Sequence, residues 1–333
     1  MADTAALDRP QLHSGIPIRR VAVLLNAGAG AFSGQLVDEI RQELERSFQA
    51  HSVACDIRLV PGQLISEAAA FAVEQAERGE IDAIVVGGGD GTIRTVASVT
   101  AGTETPLGVL ALGTLNHFAK DLGLPLDIEA AVATIVAGRV VLVDLAEVNG
   151  EVFINNSSIG IYPYMVIDRE RRRDRHKLAK WMAMVPAFFR MMKHFPRRRL
   201  RIQAEGDSKP YRTPCLFVGN NKYSTDLFSI GRRERLDEGA LWLYVVKPRN
   251  PVEFFWMVWR LCFGKLDAAK DLDTFVLSDV EITAKASRLP VSLDGEIEIM
   301  RPPLTYRSRP KALRVIVPPE AKGRGDGPGL YHF

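Results

Sequence analysis

The chain is poor in cysteine and has no long apolar run. Its three cysteines, Cys55, Cys215 and Cys262, are odd in number and widely separated, which fits neither a disulfide framework nor a metal site built on paired cysteines. No apolar segment approaches the length of a membrane-spanning helix, and the mixed polar stretch 1–17 lacks the apolar centre of a secretory signal. We therefore expect a cytoplasmic protein whose cysteines are buried free thiols.

Several common nucleotide-binding patterns are also missing. The sequence contains no Gly-x-x-x-x-Gly-Lys-Ser/Thr, and it lacks the protein-kinase pair of His-Arg-Asp and Asp-Phe-Gly. A dinucleotide-binding pattern begins at Gly28 and Gly30, but its third glycine falls at Gly34, one residue too late. A nucleotide site in this chain is therefore expected to be of another type.

What the chain does contain is a triple glycine followed by an acid. Residues 84–92 read Ile-Val-Val-Gly-Gly-Gly-Asp-Gly-Thr, which predicts a strand through Val86, a turn from Gly87 and a helix from Thr92. Glycines let backbone N–H groups approach an anion and permit positive φ, and the start of the following helix also attracts an anion. Asp90 would repel phosphate unless it holds a metal or a hydroxyl, which indicates chemistry. The alternative is an ordinary glycine-rich turn.

Apolar strands and amphipathic helices alternate between residues 19 and 138. Strands are predicted at 21–25, 53–60, 82–86 and 107–111, with helices between them and a last helix at 127–137. This alternation predicts an α/β domain with a parallel sheet. The loops at 26–30, 87–92 and 113–116 follow strand ends, where such sheets bind their ligands.

The pattern changes after Gly138 to strand-like segments, which we place at 140–148, 152–155, 200–204, 215–219, 241–246 and 275–284. We predict a second, mainly β domain over 139–318, a sandwich with helical insertions near 176–195 and 251–263. Residues 1–18 are expected to be a flexible N-terminus, and the glycine-rich residues 319–333 a disordered tail.

Positive charge is concentrated in one segment. Residues 169–201 carry thirteen Lys or Arg against two acids, although the whole chain has a net charge of only +3. Bulky apolar side chains lie between these cations, a composition typical of a helix on anionic lipid; the membrane contacts we expect are Trp181, Phe188, Phe189, Arg197, Arg198 and Arg199. The alternative is a core helix or a homodimer surface. No nucleic-acid partner is expected, because the aromatic residues do not form a spread stacking platform.

Four separated motifs stand in order along the chain: Asn-Ala-Gly-Ala-Gly at 26–30, Gly-Gly-Asp-Gly-Thr at 88–92, a segment at 113–123 that begins Gly-Thr-Leu-Asn, and Leu-Asp-Gly-Glu at 293–296. Together they resemble the diacylglycerol kinase catalytic-domain superfamily, which includes bacterial lipid kinases and the sphingosine and ceramide kinases. The resemblance runs from about residue 20 to 318. It implies two domains, with ATP in the cleft and a lipid hydroxyl, foremost that of diacylglycerol, as the phosphoryl acceptor.

The resemblance also implies residue roles. The nucleotide would be held by Asn26, Gly28, Gly30, Gly88, Gly89, Gly91, Thr92, Gly113, Thr114 and Asn116. Asp90 would hold Mg²⁺ or the acceptor hydroxyl, and Glu296 would be the general base. Asp294 would stand beside it, because residues i and i+2 of an extended segment face the same side; a hairpin turn is the alternative. Asp237 and Glu238 resemble a segment that holds a second Mg²⁺, with a plain turn as the alternative.

Two residues depart from the family pattern. Ala27 stands where the family usually has proline, and His117 stands where it usually has aspartate, which puts any magnesium role of that acid in question. We expect an ATP- and Mg²⁺-dependent lipid kinase, peripheral at the inner face of a membrane. The alternatives are a kinase for a sphingoid base, ceramide or phosphatidylglycerol, or a catalytically weak lipid-binding homologue.

Overall fold

The computed structural model describes residues 17–28, 34–160, 197–223, 233, 235–248, 250–262 and 268–319. The chain divides into two compact units, one formed by residues up to Val143 and from Ala312 onwards, the other by Asp144–Lys311. The first unit is α/β with a parallel sheet and the second is antiparallel β, so the predicted fold class is confirmed. The division differs from the predicted boundaries at 138/139 and 318, because the last strand returns to the first unit and local periodicity cannot reveal such a long-range pairing.

The first unit alternates strands and helices. Its strands are β1 Arg20–Asn26, β2 Ala54–Val60, β3 Ala83–Gly88 and β4 Leu107–Ala111; its helices are α1 Gly34–Ala50, α2 Ile65–Glu77, α3 Asp90–Thr100, α4 His117–Asp121 and α5 Ile128–Ala137. A 3₁₀ turn, Gly62–Leu64, precedes α2. The strands pair in the order β2, β1, β3, β4, all parallel, and Val315 of the last strand pairs in parallel with Leu107 of β4.

Both faces of this sheet are covered, which explains why its strands are continuous apolar runs. Val21 and Val23 of β1 belong to the same buried cluster as Phe48 of α1, and the intervening Ala22 and Leu24 are equally buried. The strands are parallel, so the carboxyl ends of β1, β3 and β4 lie at one edge of the sheet. The loops that follow these strands are therefore neighbours.

The second unit is built from antiparallel strands. The strands from Arg139 onwards are β5 Arg139–Val148, β6 Glu151–Phe153, β7 Asn156–Gly160, β8 Arg198–Ala204, β9 Asp207–Thr213, β10 Cys215–Asn220, β11 Leu241–Val246, β12 Leu272–Leu277, β13 Asp279–Ala284, β14 Leu289–Leu293, β15 Glu296–Met300 and β16 Leu304–Val317. Helices α6 Pro251–Cys262 and α7 Ala268–Asp271 lie between β11 and β12. One layer is a six-stranded sheet in the order β12, β11, β10, β7, β14, β15, and the other joins the first part of β16 to β13, β8 and β9.

The two layers of this unit enclose one apolar core. Leu216 of the six-stranded sheet and Ile202 of the other layer belong to the same buried cluster, and Tyr306 is completely enclosed in it. The hydroxyl oxygens of Tyr306 and Ser157 lie 3.0 Å apart, within hydrogen-bond distance. The single strand predicted at 275–284 is instead two strands interrupted at Ser278, one in each layer, because a sandwich passes its chain from one layer to the other at such corners.

Part of the predicted membrane surface lies outside the described residues. This holds for Trp181, Phe188 and Phe189, and also for Gly30 of the first loop, so those contacts stay predictions. The helix predicted at 251–263 is present as α6. None of the described helices is both long enough and apolar enough to span a bilayer.

Candidate active site

The glycine-rich segment after β3 is tighter than its sequence predicts. The strand continues through Gly87 and Gly88, and α3 begins at Asp90, so only Gly89 separates the two elements. The expected turn from Gly87 is therefore wrong: Gly87 and Gly88 belong to the strand, and Gly89 is extended with φ −88°, so the positive φ that glycine permits is not used here. Close packing is what requires glycine here, because a Cβ on Gly88 would lie 2.7 Å from Cβ of Thr92.

The loop after β4 packs directly on this segment. A Cβ on Gly113 would lie 2.4 Å from Cα of Gly89, so the lack of a side chain at Gly113 is what lets the two backbones come this close. The N–H of Leu112 donates to the carbonyl oxygen of Gly88 at 3.1 Å. The second and third predicted loops therefore form one continuous surface.

Asn116 shapes the third loop from within. It is 6% exposed and has a left-handed backbone with φ 53°. Its Nδ2 donates to the carbonyl oxygens of Ala111 (3.0 Å) and Gly113 (2.9 Å), and its Oδ1 accepts from the N–H of Gly113 (3.0 Å). The Asn116 side-chain amide thus forms its hydrogen bonds inside the loop. Thr114, the other polar residue predicted to bind the nucleotide from this loop, is exposed.

Asn26 links the first loop to the second. Its Nδ2 donates to Oγ1 of Thr92 at 2.8 Å, and its Oδ1 accepts from the N–H of Gly28 at 2.9 Å. Gly28 itself is exposed at the end of β1. Asn26 and Thr92, which are 66 positions apart in the chain, are therefore in direct contact.

Asp90 joins the second loop to the third. Its Oδ2 accepts from the N–H of His117 (3.1 Å) and its Oδ1 from the N–H of Phe118 (3.0 Å). These are the first residues of α4, whose initial N–H groups have no partner within the helix and favour a carboxylate. Sequence reasoning missed this positioning role, because it depends on a contact between two distant motifs.

The first turn of α3 adds further hydrogen-bond donors. The N–H groups of Asp90, Gly91 and Thr92 have no carbonyl partner within the helix, and α3 is 11 residues long, so it carries a substantial dipole. They adjoin the Thr92 hydroxyl that Asn26 holds. This arrangement is chemically suited to bind the phosphates of a nucleotide.

The two acids of the fourth motif are placed differently from each other. Asp294 has φ 49° and Gly295 has φ 91°, so these residues form the turn of the hairpin between β14 and β15, and Glu296 is the first residue of β15. The expectation that both carboxylates face one side of an extended segment does not hold, because the chain reverses between them. The hairpin alternative describes this motif.

Asp294 clamps the segment that leads into β7. Its Oδ2 accepts from the N–H of Ile154 (2.8 Å), and its Oδ1 accepts from the N–H groups of Asn155 (2.8 Å) and Asn156 (3.0 Å). A carboxylate that accepts three backbone donors holds the chain firmly in place. Asp294 therefore ties the hairpin that carries Glu296 to the centre of the six-stranded sheet.

A buried arginine supports the same segment. Arg233 is 2% exposed; it donates to the carbonyl oxygen of Ile154 (2.6 Å) and to Oδ1 of Asn155 (2.8 Å). The Nδ2 of Asn220 also donates to that carbonyl at 3.0 Å. Sequence reasoning missed this cluster, although the paired asparagines at 155–156 and 220–221 are unusual at the ends of buried strands and were the available signal.

The two acids predicted to hold a second magnesium ion accept hydrogen bonds from neighbouring residues. Asp237 accepts from Arg235 at 3.0 and 3.2 Å, while Oε2 of Glu238 accepts from the N–H of Lys222 (3.2 Å) and from Nε1 of Trp242 (3.0 Å). Across the described ranges, no three or more His, Cys, Asp or Glu residues are grouped closely enough to hold a metal ion. Both acids are thus held by neighbouring residues in the structure, and a cation at Asp237 and Glu238 stays a prediction, with the plain turn as the alternative.

The buried Asp144 holds the turn that contains Asp237 and Glu238 in place. It is 1% exposed and accepts from the N–H groups of Gly239 (2.6 Å) and Lys311 (2.8 Å). Burial raises the pKa of the Asp144 carboxyl, and the hydrogen bonds from Lys311 and Gly239 offset part of that rise. The carboxyl is thus structural, and its ionised form is disfavoured by the fold.

Comparison with known proteins identifies both halves of the chain. Residues 20–148 match the family model described as the diacylglycerol kinase catalytic domain. Residues 168–317 match the model described as the YegS C-terminal NAD kinase beta sandwich-like domain. The two models follow each other along nearly the whole described chain.

Individual relatives agree with these models. A Yersinia pestis (strain Pestoides F) protein and one from Yersinia pseudotuberculosis serotype O:1b, both named "Probable lipid kinase YegS-like", are each 45% identical over 92 residues, which is 26% of this chain but only 31% of the relative. The crystal structure of a diacylglycerol kinase from Bacillus anthracis str. Sterne superposes with a TM-score of 0.66 at 20% identity, covering 92% of this chain and all of the other. A second B. anthracis structure gives a TM-score of 0.70 at 21% identity. At such identities the structural likeness establishes the fold.

Proposed function

Because the chain belongs to the diacylglycerol kinase catalytic-domain superfamily, we propose that it is an ATP- and Mg²⁺-dependent lipid kinase. It transfers the γ-phosphoryl group of ATP to a lipid hydroxyl, and the acceptor we expect is diacylglycerol. The observation that carries the proposal is the interlocking of three loops at one sheet edge. Asn26 bonds Thr92, Asp90 bonds the start of α4, and Gly89 contacts Gly113.

Phosphoryl transfer depends mainly on positioning and on stabilising charge. The free N–H groups at the start of α3 and the Thr92 hydroxyl would receive the ATP phosphates. Magnesium, when bound with ATP, would neutralise charge on the phosphates, and Asp90 is the carboxylate that fits it. Among the described residues each Asp90 oxygen accepts one N–H, which leaves a second acceptor position on each.

The acceptor hydroxyl needs a group to take its proton. In the proposed reaction Glu296 accepts that proton as the bond from the lipid oxygen to phosphorus forms and the bond from phosphorus to the ADP oxygen breaks. Asp294 acts through position, since it fixes the hairpin from which Glu296 extends. The clamp and the base are thus separate residues of one motif.

The departure at His117 does not disturb the loop contacts. The imidazole is exposed, and His117 reaches Asp90 only through its backbone N–H, which almost any residue would supply. This observation favours an active kinase over a weakened homologue. A magnesium role for this position is not part of the proposal.

An exposed apolar stripe on α6 supports the proposal that the protein binds to a membrane surface. Val252, Phe255, Trp256 and Trp259 are 36–55% exposed and recur at the spacing that places them on one helix face. Among the described residues this face is therefore not core, which was one alternative for such helices. Tryptophan favours the interface between water and lipid, and we place the protein at an anionic membrane surface together with its basic segment 169–201.

A transfer assay tests the kinase proposal. Purified protein is given labelled ATP, Mg²⁺ and mixed micelles of diacylglycerol, sphingosine, ceramide or phosphatidylglycerol, with a chelated control that lacks free Mg²⁺. We expect label in phosphatidic acid and none in the control. Label in a different lipid would change the acceptor, and absence of label from every lipid would refute the kinase.

A further inference from the structure

Strand alternation divides the arginine run at 197–199. Leu200 and Ile202 of β8 are buried, so Arg199 and Arg201 lie on the opposite, outer face of the layer. Arg198 instead lies opposite the buried Thr213 of β9. The three consecutive arginines therefore do not form one patch.

The outer face places like charges side by side. Arg199 is directly opposite Arg212 of β9. On the other side of β8, Arg201 pairs with Thr283 of β13, and Lys285, which directly follows β13, lines the same cavity as Arg199. Like charges directly opposite each other destabilise a sheet, so the facing pair Arg199 and Arg212, with Lys285 at the same cavity, calls for a compensating anion.

These cations line a groove. Arg199, Arg201, Arg212 and Lys285 surround a cavity of about 520 Å³. The described lining adds the Thr283 hydroxyl and several apolar groups but no Asp or Glu. All four cations are exposed, so the groove is accessible to a ligand.

A second cavity extends the positive surface. It measures about 400 Å³ and is lined by Arg197, Arg212 and Lys247, among others. Its one described acid, Asp273, is already paired with Lys247 at 2.9 Å. The Nε of Arg197 is buried and has no hydrogen-bond partner within the part of the chain that the structure describes, which adds a donor beside the groove.

We propose that this groove binds the phosphate group of an anionic phospholipid. Arginine presents a planar fork of N–H donors that matches phosphate oxygens, and several arginines together suit a phosphate better than a single carboxylate. The inference rests on the proposed function, which brings the protein to a membrane. Diacylglycerol, the acceptor proposed above, carries no phosphate, so the ligand of this groove is a second lipid.

Vesicle binding without ATP tests the groove. The double variant Arg199→Gln/Arg212→Gln is compared with native protein and with the control Arg288→Gln/Arg301→Gln, which removes the same charge from exposed positions of the same unit outside the groove. Vesicles contain phosphatidylcholine alone or with phosphatidic acid. Each cation at an anionic surface contributes about fivefold in affinity, so we expect the groove variant to bind phosphatidic acid vesicles on the order of 30-fold more weakly.

Folding and ligand source are checked in the same proteins. Relief of like-charge repulsion should leave the Tm of the groove variant equal to or above that of native protein. Equal losses in groove and control variants would overturn the proposal, as would native binding that ignores phosphatidic acid. Stabilisation by inorganic phosphate without vesicle binding would assign a soluble ligand and also overturn it. Because no ATP is present, the transfer assay can fail while this result stands.

Discussion

At the scale of single residues, the acids of the proposed site have distinct tasks. Asp90 and Asp294 each accept backbone N–H groups from a distant segment, so both organise the chain. Glu296 begins a strand and leaves the turn. Asp294 and Glu296 are therefore separable by experiment, because the first supports folding and the second turnover.

The variants Asp294→Asn and Glu296→Gln should give opposite results. An amide at 294 would set an NH₂ group against backbone donors, so the free energy of unfolding in urea should fall by about 1–3 kcal/mol. Glu296→Gln should leave that free energy within about 0.5 kcal/mol of native and lower kcat by roughly 10²–10⁴. A stable Asp294→Asn protein without turnover would instead make Asp294 a reacting group, and near-native kcat in Glu296→Gln would remove it as the base.

At the scale of secondary-structure elements, the sequence pattern predicted the main strands of the first unit correctly. Continuous apolar runs predicted β1, β3 and β4, and the α5 boundaries were marked by Asp127, which caps Ala130, and by Gly138. Strand β9 was missed because it lies at a sheet edge and is almost wholly exposed, so it shows no apolar alternation. The corner at Ser278 was missed because both flanking strands are equally strand-like.

The site was predictable in its loops but not in its contacts. The motifs named loops that contact one another in the structure, while their role as a nucleotide site stays a prediction. The reason for the glycines emerged only from the close approach of Gly89 and Gly113. The glycines in the sequence suggested that the loop backbones need conformational freedom. In the structure, glycine is needed instead because a side chain would clash with a neighbouring loop. Contacts between residues that are far apart in the sequence decide such details, and a local sequence pattern does not reveal those contacts.

Alanine substitutions at Gly113 and Gly89 test how closely the two loops pack against each other. Gly113→Ala places Cβ 2.4 Å from Cα of Gly89, whereas Gly89→Ala meets its nearest atom at an ordinary 3.5 Å. We expect Gly113→Ala to lose about 1–3 kcal/mol of stability and to bind ATP more weakly in calorimetry. Gly89→Ala should keep native stability and serves as the matched control. Equal stability of the two variants would show that the loops are not packed against each other.

At the scale of the whole molecule, one buried carboxyl links stability to pH. Asp144 has a pKa raised above the ordinary 3.8 by burial. The folded state therefore holds this proton more readily than the unfolded state, so ionisation of Asp144 lowers stability at neutral pH. That cost is lost as pH falls through the raised pKa towards 3.8.

Comparison with Asp144→Asn isolates this effect, because every other group titrates in both proteins. The free energy of unfolding of native protein, minus that of the variant, should increase as pH falls from 7 to 4 in urea titrations. The variant cannot accept from both Gly239 and Lys311 with one oxygen, which shifts the difference by a constant. A difference that stays flat with pH would show that burial does not perturb this carboxyl.

Strand β16 divides its residues between the two units, with Ala312–Val317 beside β4 of the first unit. The ribosome therefore finishes β4 long before it makes the strand that pairs with it. At typical rates of synthesis, the intervening residues take on the order of 10 s to emerge. Throughout that time β4 is an open edge in the nascent chain, so the first unit can complete its sheet only after residues 312–317 have emerged.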